Sequence, residues 1–185
     1  MQPSPDCPAF PQVPEDEERP AVCVDWCDAW AYCLAVGKRL CGAIGGGANG
    51  FADFADPARR QWYNACTACG QLAYPYGQIY DGTRCNTKDV GPADDAGNEQ
   101  SAPVDTFKDC QSSVAGYTGI YHLSGNVEEW TDACDGTSSA NDHCRVRGGS
   151  FDTPAERAAC AYGGDELRKT ANAFVGFRCC WDPAP

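Results

Sequence analysis

Apolar residues recur at helical spacing in two places near the front of the chain. Trp26, Ala29, Trp30, Cys33 and Leu34 follow the i, i+3, i+4, i+7, i+8 pattern, with Asp25 ahead of them as a cap and Gly37 with Lys38-Arg39 behind. The spacing predicts a helix preceded by a short strand over residues 22–26, and it assigns both tryptophans to the core. A stacking platform for a ligand is the other use of two rings one turn apart. Asp56-Pro57 offers a second cap with proline at the first helical position, and Ala58, Trp62, Ala65 and Cys66 fall on one face of the helix predicted there. Between the two, GAIGGGANG (residues 42–50) is a mobile connector that lacks the GKS or GKT ending of a phosphate-cradling loop. From Gly70 onward glycine, asparagine, aspartate and proline recur every few residues around short apolar runs such as Gly119-Ile120-Tyr121. That pattern predicts a loop-rich half with short strands and no internal repeat.

At 185 residues the chain fits one domain. Residues 1–22 hold six of the thirteen prolines and an acidic run, so residues 1–19 read as an extended arm and residues 20–185 as the domain. Charge narrows the partners: 26 acidic against 14 basic residues give a net −12, which repels phosphate backbones and anionic lipid. Nucleic acid is excluded on that ground. The longest uncharged apolar run, residues 29–37, is too short to cross a bilayer of about 30 Å. No signal peptide opens the chain, so a secretion signal would lie outside it. Fourteen cysteines, an even number spread over the whole length, suit cross-links better than one metal cluster and place the protein in an oxidising compartment: secreted, periplasmic or at the cell surface.

Three ordered blocks, LSGNVEEW (residues 123–130), RVRGGSF (145–151) and GFRC (176–179), resemble the formylglycine-generating enzyme, or sulfatase-modifying factor, family. An upstream block, VDWCDAWAYCLAVGKRL (24–40), resembles the same family's strand, helix and loop, so the resemblance runs from about Pro20 to Cys180. It implies an α+β, C-type-lectin-like fold, loop-rich with short strands and two helices, braced by disulfides. Family members carry a further strand and helix before the first block, where this chain has about twenty proline-rich residues; the resemblance implies a pruned variant or a shortened chain.

In the family's oxidases two cysteines, five residues apart after the GGS block, bind copper, for which soft thiolates are suited. Those positions fall here on Thr153 and on or near Ala158, which implies loss of the oxidase. Cys160 and Cys180 are the residues from which a copper site would have to be rebuilt. The related sulfoxide synthases use histidine-held iron, and His122 and His143 alone do not supply three histidines. Hydrolase motifs such as GxSxG and HExxH are missing from the sequence.

Calcium is the cofactor that the resemblance leaves, since hard cations take carboxylate and carbonyl oxygens. One family site implies ligands at Gly125, Val127 and Glu129, with His122 in the remaining position. The other implies Asn86, Thr87 and Asp94 or Asp95; an asparagine turn beside a solvated acidic pair is the structural alternative. Trp130 and Asn126 are expected to serve the core and the loop backbone rather than a ligand.

The resemblance pairs Cys33 with Cys66 and Cys160 with Cys179. Local spacing adds Cys134 with Cys144, Cys85 with Cys110 and Cys27 with Cys41, and Cys7 with Cys23 would tether the arm, leaving Cys69 and Cys180. Cys66-Thr67-Ala68-Cys69 has redox CxxC spacing without a thioredoxin-like βαβ context.

Together these features describe a calcium-assisted domain that binds a protein or glycan ligand on a scaffold without its copper cysteines. Some lectin-like relatives, retroelement-diversified proteins among them, vary their ligand contacts between the GGS and GFRC blocks. There this chain offers Asp152, Glu156, Arg157, Tyr162 and Arg168, beside Asp165, Glu166 and Lys169. A copper oxidoreductase with a rebuilt cysteine site and a structural module of an extracellular assembly are the competing expectations.

Overall fold

The computed structural model describes Cys7, residues 18–90 and residues 100–182. Apart from Cys7, Glu18 and Arg19, the arm of residues 1–19 lies outside the described residues.

Helix α1 (Trp26–Ala35) starts where Asp25 Oδ1 accepts the Asp28 amide at 2.9 Å. No strand precedes it, because Cys23 turns the chain at φ +60° and is tied to Cys7. The helix buries only Trp26, Ala29 and Cys33, while Trp30 and Leu34 are 41% and 46% exposed. The inward stripe is thus narrower than the apolar pattern, and Trp30 belongs to the surface, its ring stacked on Trp26 at 6.3 Å.

Strand β1 (Arg39–Leu40) leads into the glycine-rich segment, which is structured rather than a bare connector. It hydrogen-bonds with the chain ahead of the second helix, Ile44 N to Arg59 O and Gln61 N to Gly42 O, around a bridge between Ala43 and Arg60. That pairing holds Arg60 extended, so α2 (Gln61–Thr67) begins later than Asp56-Pro57, which caps a turn instead. Ala58 is consequently exposed, whereas Trp62 and Cys66 are buried.

Four strands make the main sheet: β2 (Glu128–Cys134), β3 (His143–Arg147), β4 (Gly163–Leu167) and β5 (Val175–Phe177), in the order β4-β3-β2-β5. Neighbours β4-β3 and β3-β2 are antiparallel; β2 and β5 are parallel, with Glu129 opposite Gly176. A two-stranded ribbon joins β1 to β6 (Cys179–Cys180), with Leu40 opposite Cys179. The core gathers Trp130, Leu40, Val146 and Val175 beneath α1, and a second cluster gathers Trp62, Cys66 and Leu123 beside α2. The two indoles of the cluster beneath α1 are satisfied by backbone: Trp130 Nε1 donates to Val24 O at 3.1 Å and Trp26 Nε1 to Thr131 O at 2.9 Å.

The β1–β6 ribbon decides the cysteine pairing. Successive residues of a strand point to opposite sides, so Cys179 and Cys180 reach different partners. Cys179 bonds Cys33 on α1, and Cys180 bonds Cys41, just past β1. Cys66 then meets Cys160. These pairs replace the expected Cys33–Cys66, Cys160–Cys179 and Cys27–Cys41. The remaining bridges are Cys7–Cys23, Cys85–Cys110 and Cys134–Cys144, and Cys27 and Cys69 are exposed thiols. Six disulfides indicate a location outside the cytosol. No helix among the described residues is long and apolar enough to cross a membrane.

Peptide mapping without reduction should recover Cys33–Cys179, Cys41–Cys180 and Cys66–Cys160, with maleimide entering only Cys27 and Cys69. Replacing Cys66 and Cys160 together by alanine should lower the unfolding free energy in urea by about 2–4 kcal/mol.

Candidate functional site

Beyond β3 the chain turns through Gly148, Gly149 and Ser150. Gly149 has φ +73°, and a Cβ there would come within 2.6 Å of the Thr153 side chain, so only glycine lets the turn close. Thr153 Oγ1 accepts the Ser150 amide at 2.7 Å and lies 3.2 Å from Ser150 Oγ, fixing both hydroxyls. The chain continues through a 3-10 turn (Ala155–Arg157) whose last carbonyls are steadied from below, Ser124 Oγ donating to Ala158 O at 2.6 Å.

This turn forms one wall of a cleft of about 180 Å³. Glu128, at the start of β2, is its floor, and Glu166 reaches in from β4. The opposite wall is Phe174, held by Asn172, whose Oδ1 accepts the amides of Phe174 and Val175 at 2.9 and 3.1 Å. The Phe174 ring also packs on Phe151 at 5.2 Å.

Glu128 is only 8% exposed. Its nearest cation is Arg157, 3.7 Å away, a distance beyond hydrogen bonding. Burial pushes the Glu128 carboxyl up; Arg157 pulls it partway back and Glu166 raises it again. Arg157 itself is surface-exposed and lies over the Tyr162 ring at 5.2 Å. At the rim, Lys88 Nζ binds Asp152 at 2.9 Å.

Of the five ligand-face residues expected from the sequence, Asp152 and Arg157 line the cleft, Tyr162 supports Arg157, and Glu156 is exposed beside them. Arg168 is elsewhere. Its guanidinium lies over Trp26 at 4.5 Å, donates to the carbonyls of Thr137 and Gly136, and is 7% exposed, so it braces α1 and meets no ligand. Glu128, Ser150, Asn172 and Phe174 were missed. A charged residue one place before the core pair Glu129-Trp130 was the signal available for the first of them.

The two calcium sets fare differently. Asn86 is fully buried, and its Nδ2 donates to Gln100 O and Asn126 Oδ1, both at 3.0 Å. Those two acceptors fix the amide orientation and leave Asn86 Oδ1 buried with no partner among the described residues. A hard cation is the kind of group such an oxygen lacks, so Asn86 fits its set, while the Thr87 carbonyl already accepts the Val90 amide at 3.2 Å. Asp94 and Asp95 lie outside the described residues. The second set fails at its carboxylate. Glu129 accepts from Arg178 Nε at 2.6 Å and Nη2 at 2.5 Å and from Trp62 Nε1 at 2.8 Å, so the arginine already supplies its positive charge. Gly125 and Val127 are thereby left without the carboxylate a cation would share with them, and burial and Arg178 push the pKa of the neighbouring His122 imidazole down.

Copper does not fit either. The resemblance puts the copper cysteines at Thr153 and on or near Ala158, and Cys160 and Cys180 are bonded to Cys66 and Cys41 in two separate bridges. The rebuilt cysteine site is therefore corrected: neither sulfur is a thiolate.

A family model described as "Sulfatase-modifying factor enzyme 1-like domain" matches residues 4–183. The formylglycine-generating enzyme of Mus musculus is 27% identical over 90% of this chain and 45% of its own length. The protein named inactive C-alpha-formylglycine-generating enzyme 2 from Bos taurus is 30% identical over 90% of this chain and 52% of its own. The chain thus spans about half the length of the curated relatives it matches. Among solved structures, CarF superposes with a TM-score of 0.61 at 17% identity, covering 96% of this chain and 75% of that one. PvdO from Pseudomonas aeruginosa gives 0.60 at 18%, covering 93% and 64%. These two likenesses concern the fold.

Because the Glu128 carboxyl is raised above its unfolded value near 4.5, the folded chain keeps a proton that the unfolded chain has released. Stability contributed by this group therefore falls as pH rises through that interval and stays lowered above it. Glu128→Gln carries no such cost, so its urea midpoint should match the native chain at about pH 4 and exceed it at about pH 7.5.

Proposed function

Because this chain belongs to the family of sulfatase-modifying factor enzyme 1-like domains, we propose that it is a secreted, calcium-assisted binding domain in which a polar cleft has replaced the family's copper oxidase centre. One observation carries this reading. Thr153, at the position of the first copper cysteine, lines the cleft whose floor is the buried carboxylate of Glu128. In this reading, a recess with a carboxylate, hydroxyls and an aromatic wall stands at the position where the resemblance puts the enzymes' copper cysteine. Such a surface can bind and orient, and it offers no thiolate for oxidation.

Calcium has a structural part in this reading. When bound at Asn86 it would cross-link oxygen ligands of the loop after Cys85 and supply no redox chemistry. The chain's own residues do the rest. Asn126 accepts from Asn86 and Ala102 through Oδ1 and returns a bond to Ala102 O, clamping the loop against the block that contains Glu128. Gly125 admits this clamp, since a Cβ there would lie 2.2 Å from Asn86 O.

Elemental mass spectrometry on oxidised, never-chelated protein should find about one calcium and no stoichiometric copper per chain. Asn86→Ala should remove the calcium and lower the melting temperature. Copper near one per chain, with conversion of a cysteine peptide to formylglycine, would overturn the reading.

A further inference from the structure

We propose that the Glu128 cleft is a recognition site for an alkylammonium group, the charged end of a lysine side chain or of a free aliphatic amine. This rests on the binding role proposed above and names its ligand class.

A carboxylate on a side chain only 11% exposed is costly unless charge and hydrogen bonds meet it. Glu128 has neither in full: among the described residues it has no side-chain hydrogen bond, and one cation at 3.7 Å that belongs to an exposed arginine lying over Tyr162. Glu166 lines the same recess and adds a second negative charge from a different strand. Two carboxylates on separate strands do not form the single planar acceptor that suits a guanidinium fork. They suit a compact ammonium, whose three donors rotate to reach separate oxygens. Phe174, 41% exposed, supplies a ring face against which the cation and its methylenes can pack. Lys88 shows the same chemistry at the rim, its ammonium already bound to Asp152.

Size restricts the ligand further. Small-molecule pockets usually measure about 300–1,000 Å³, and this cleft is about 180 Å³. It admits one side-chain-sized group and leaves out a sugar ring with its neighbours. The net charge of −12 raises the local concentration of cations around it. Arg157 acts as an internal placeholder that the incoming ammonium displaces from Glu128.

Amide NMR titrations of the oxidised chain with cadaverine, with the blocked peptide acetyl-Gly-Lys-Gly-amide, and with the same peptide acetylated on the lysine test this. The lysine peptide and cadaverine should shift amides of residues 128, 150–153 and 172–175, and lysine acetylation should abolish the shifts. Peptide tighter than cadaverine assigns the source to a polypeptide, and the reverse to a free amine. Glu128→Gln should weaken binding at least tenfold with the spectrum otherwise folded, and Arg157→Ala should strengthen binding. No shifts with either amine, or loss of binding in Arg157→Ala, overturns the proposal. Equal binding of the acetylated peptide overturns it too but leaves the binding role standing; formylglycine formation would instead remove that role.

Discussion

The fold hangs on the buried carboxylate of Glu129. It sits on β2 between the antiparallel β3 and the parallel β5, and three donors converge on it, two from Arg178 and one from the Trp62 indole. Arg178 also donates to Tyr121 O at 2.9 Å. A charge-assisted fork of this kind is directional and, once desolvated, expensive to leave half-made. It therefore fixes three things at once: the seat of α2, the path of the link between β5 and β6, and the descent of the chain into β2. With so little regular structure, that convergence replaces much of the registry a larger sheet would provide.

The same convergence separates two adjacent glutamates. Glu129 points into the core and has its charge answered; Glu128, on the other face of the strand, points into the cleft and does not. Alternation along β2 thus turns one side of a dipeptide into structure and the other into a site. The walls of that site are held by backbone-directed side chains, Ser150 with Thr153 on one side and Asn172 under Phe174 on the other, so the cleft does not depend on the exposed residues at its rim.

Much of this architecture was legible from residues. The motif blocks indicated the family and fold, and Asp25 marked the start of α1. Asp152 and Arg157, expected on the ligand face, line the cleft. What escaped was non-local. Cys179 and Cys180 could not be assigned before the β1–β6 register showed which side each faces, and the second helix was misplaced because strand-like pairing of the glycine-rich loop overrode the local Asp-Pro cap. Arg168 looked like a surface charge and is spent on Trp26 and two carbonyls. Trp30 shows the opposite error, since helical spacing marks an apolar stripe without saying how wide the covering sheet is.

The position of the disulfides has a mechanical consequence. Cys33–Cys179 and Cys41–Cys180 span separations of 146 and 139 residues and lie side by side on one short ribbon. Tension applied to the two flanks of the domain passes through these covalent links and bypasses everything between them, β2, the cleft and the loop after Cys85 included. The domain therefore behaves under load as a short inextensible shackle, and its recess keeps its shape while the chain on either side is pulled straight.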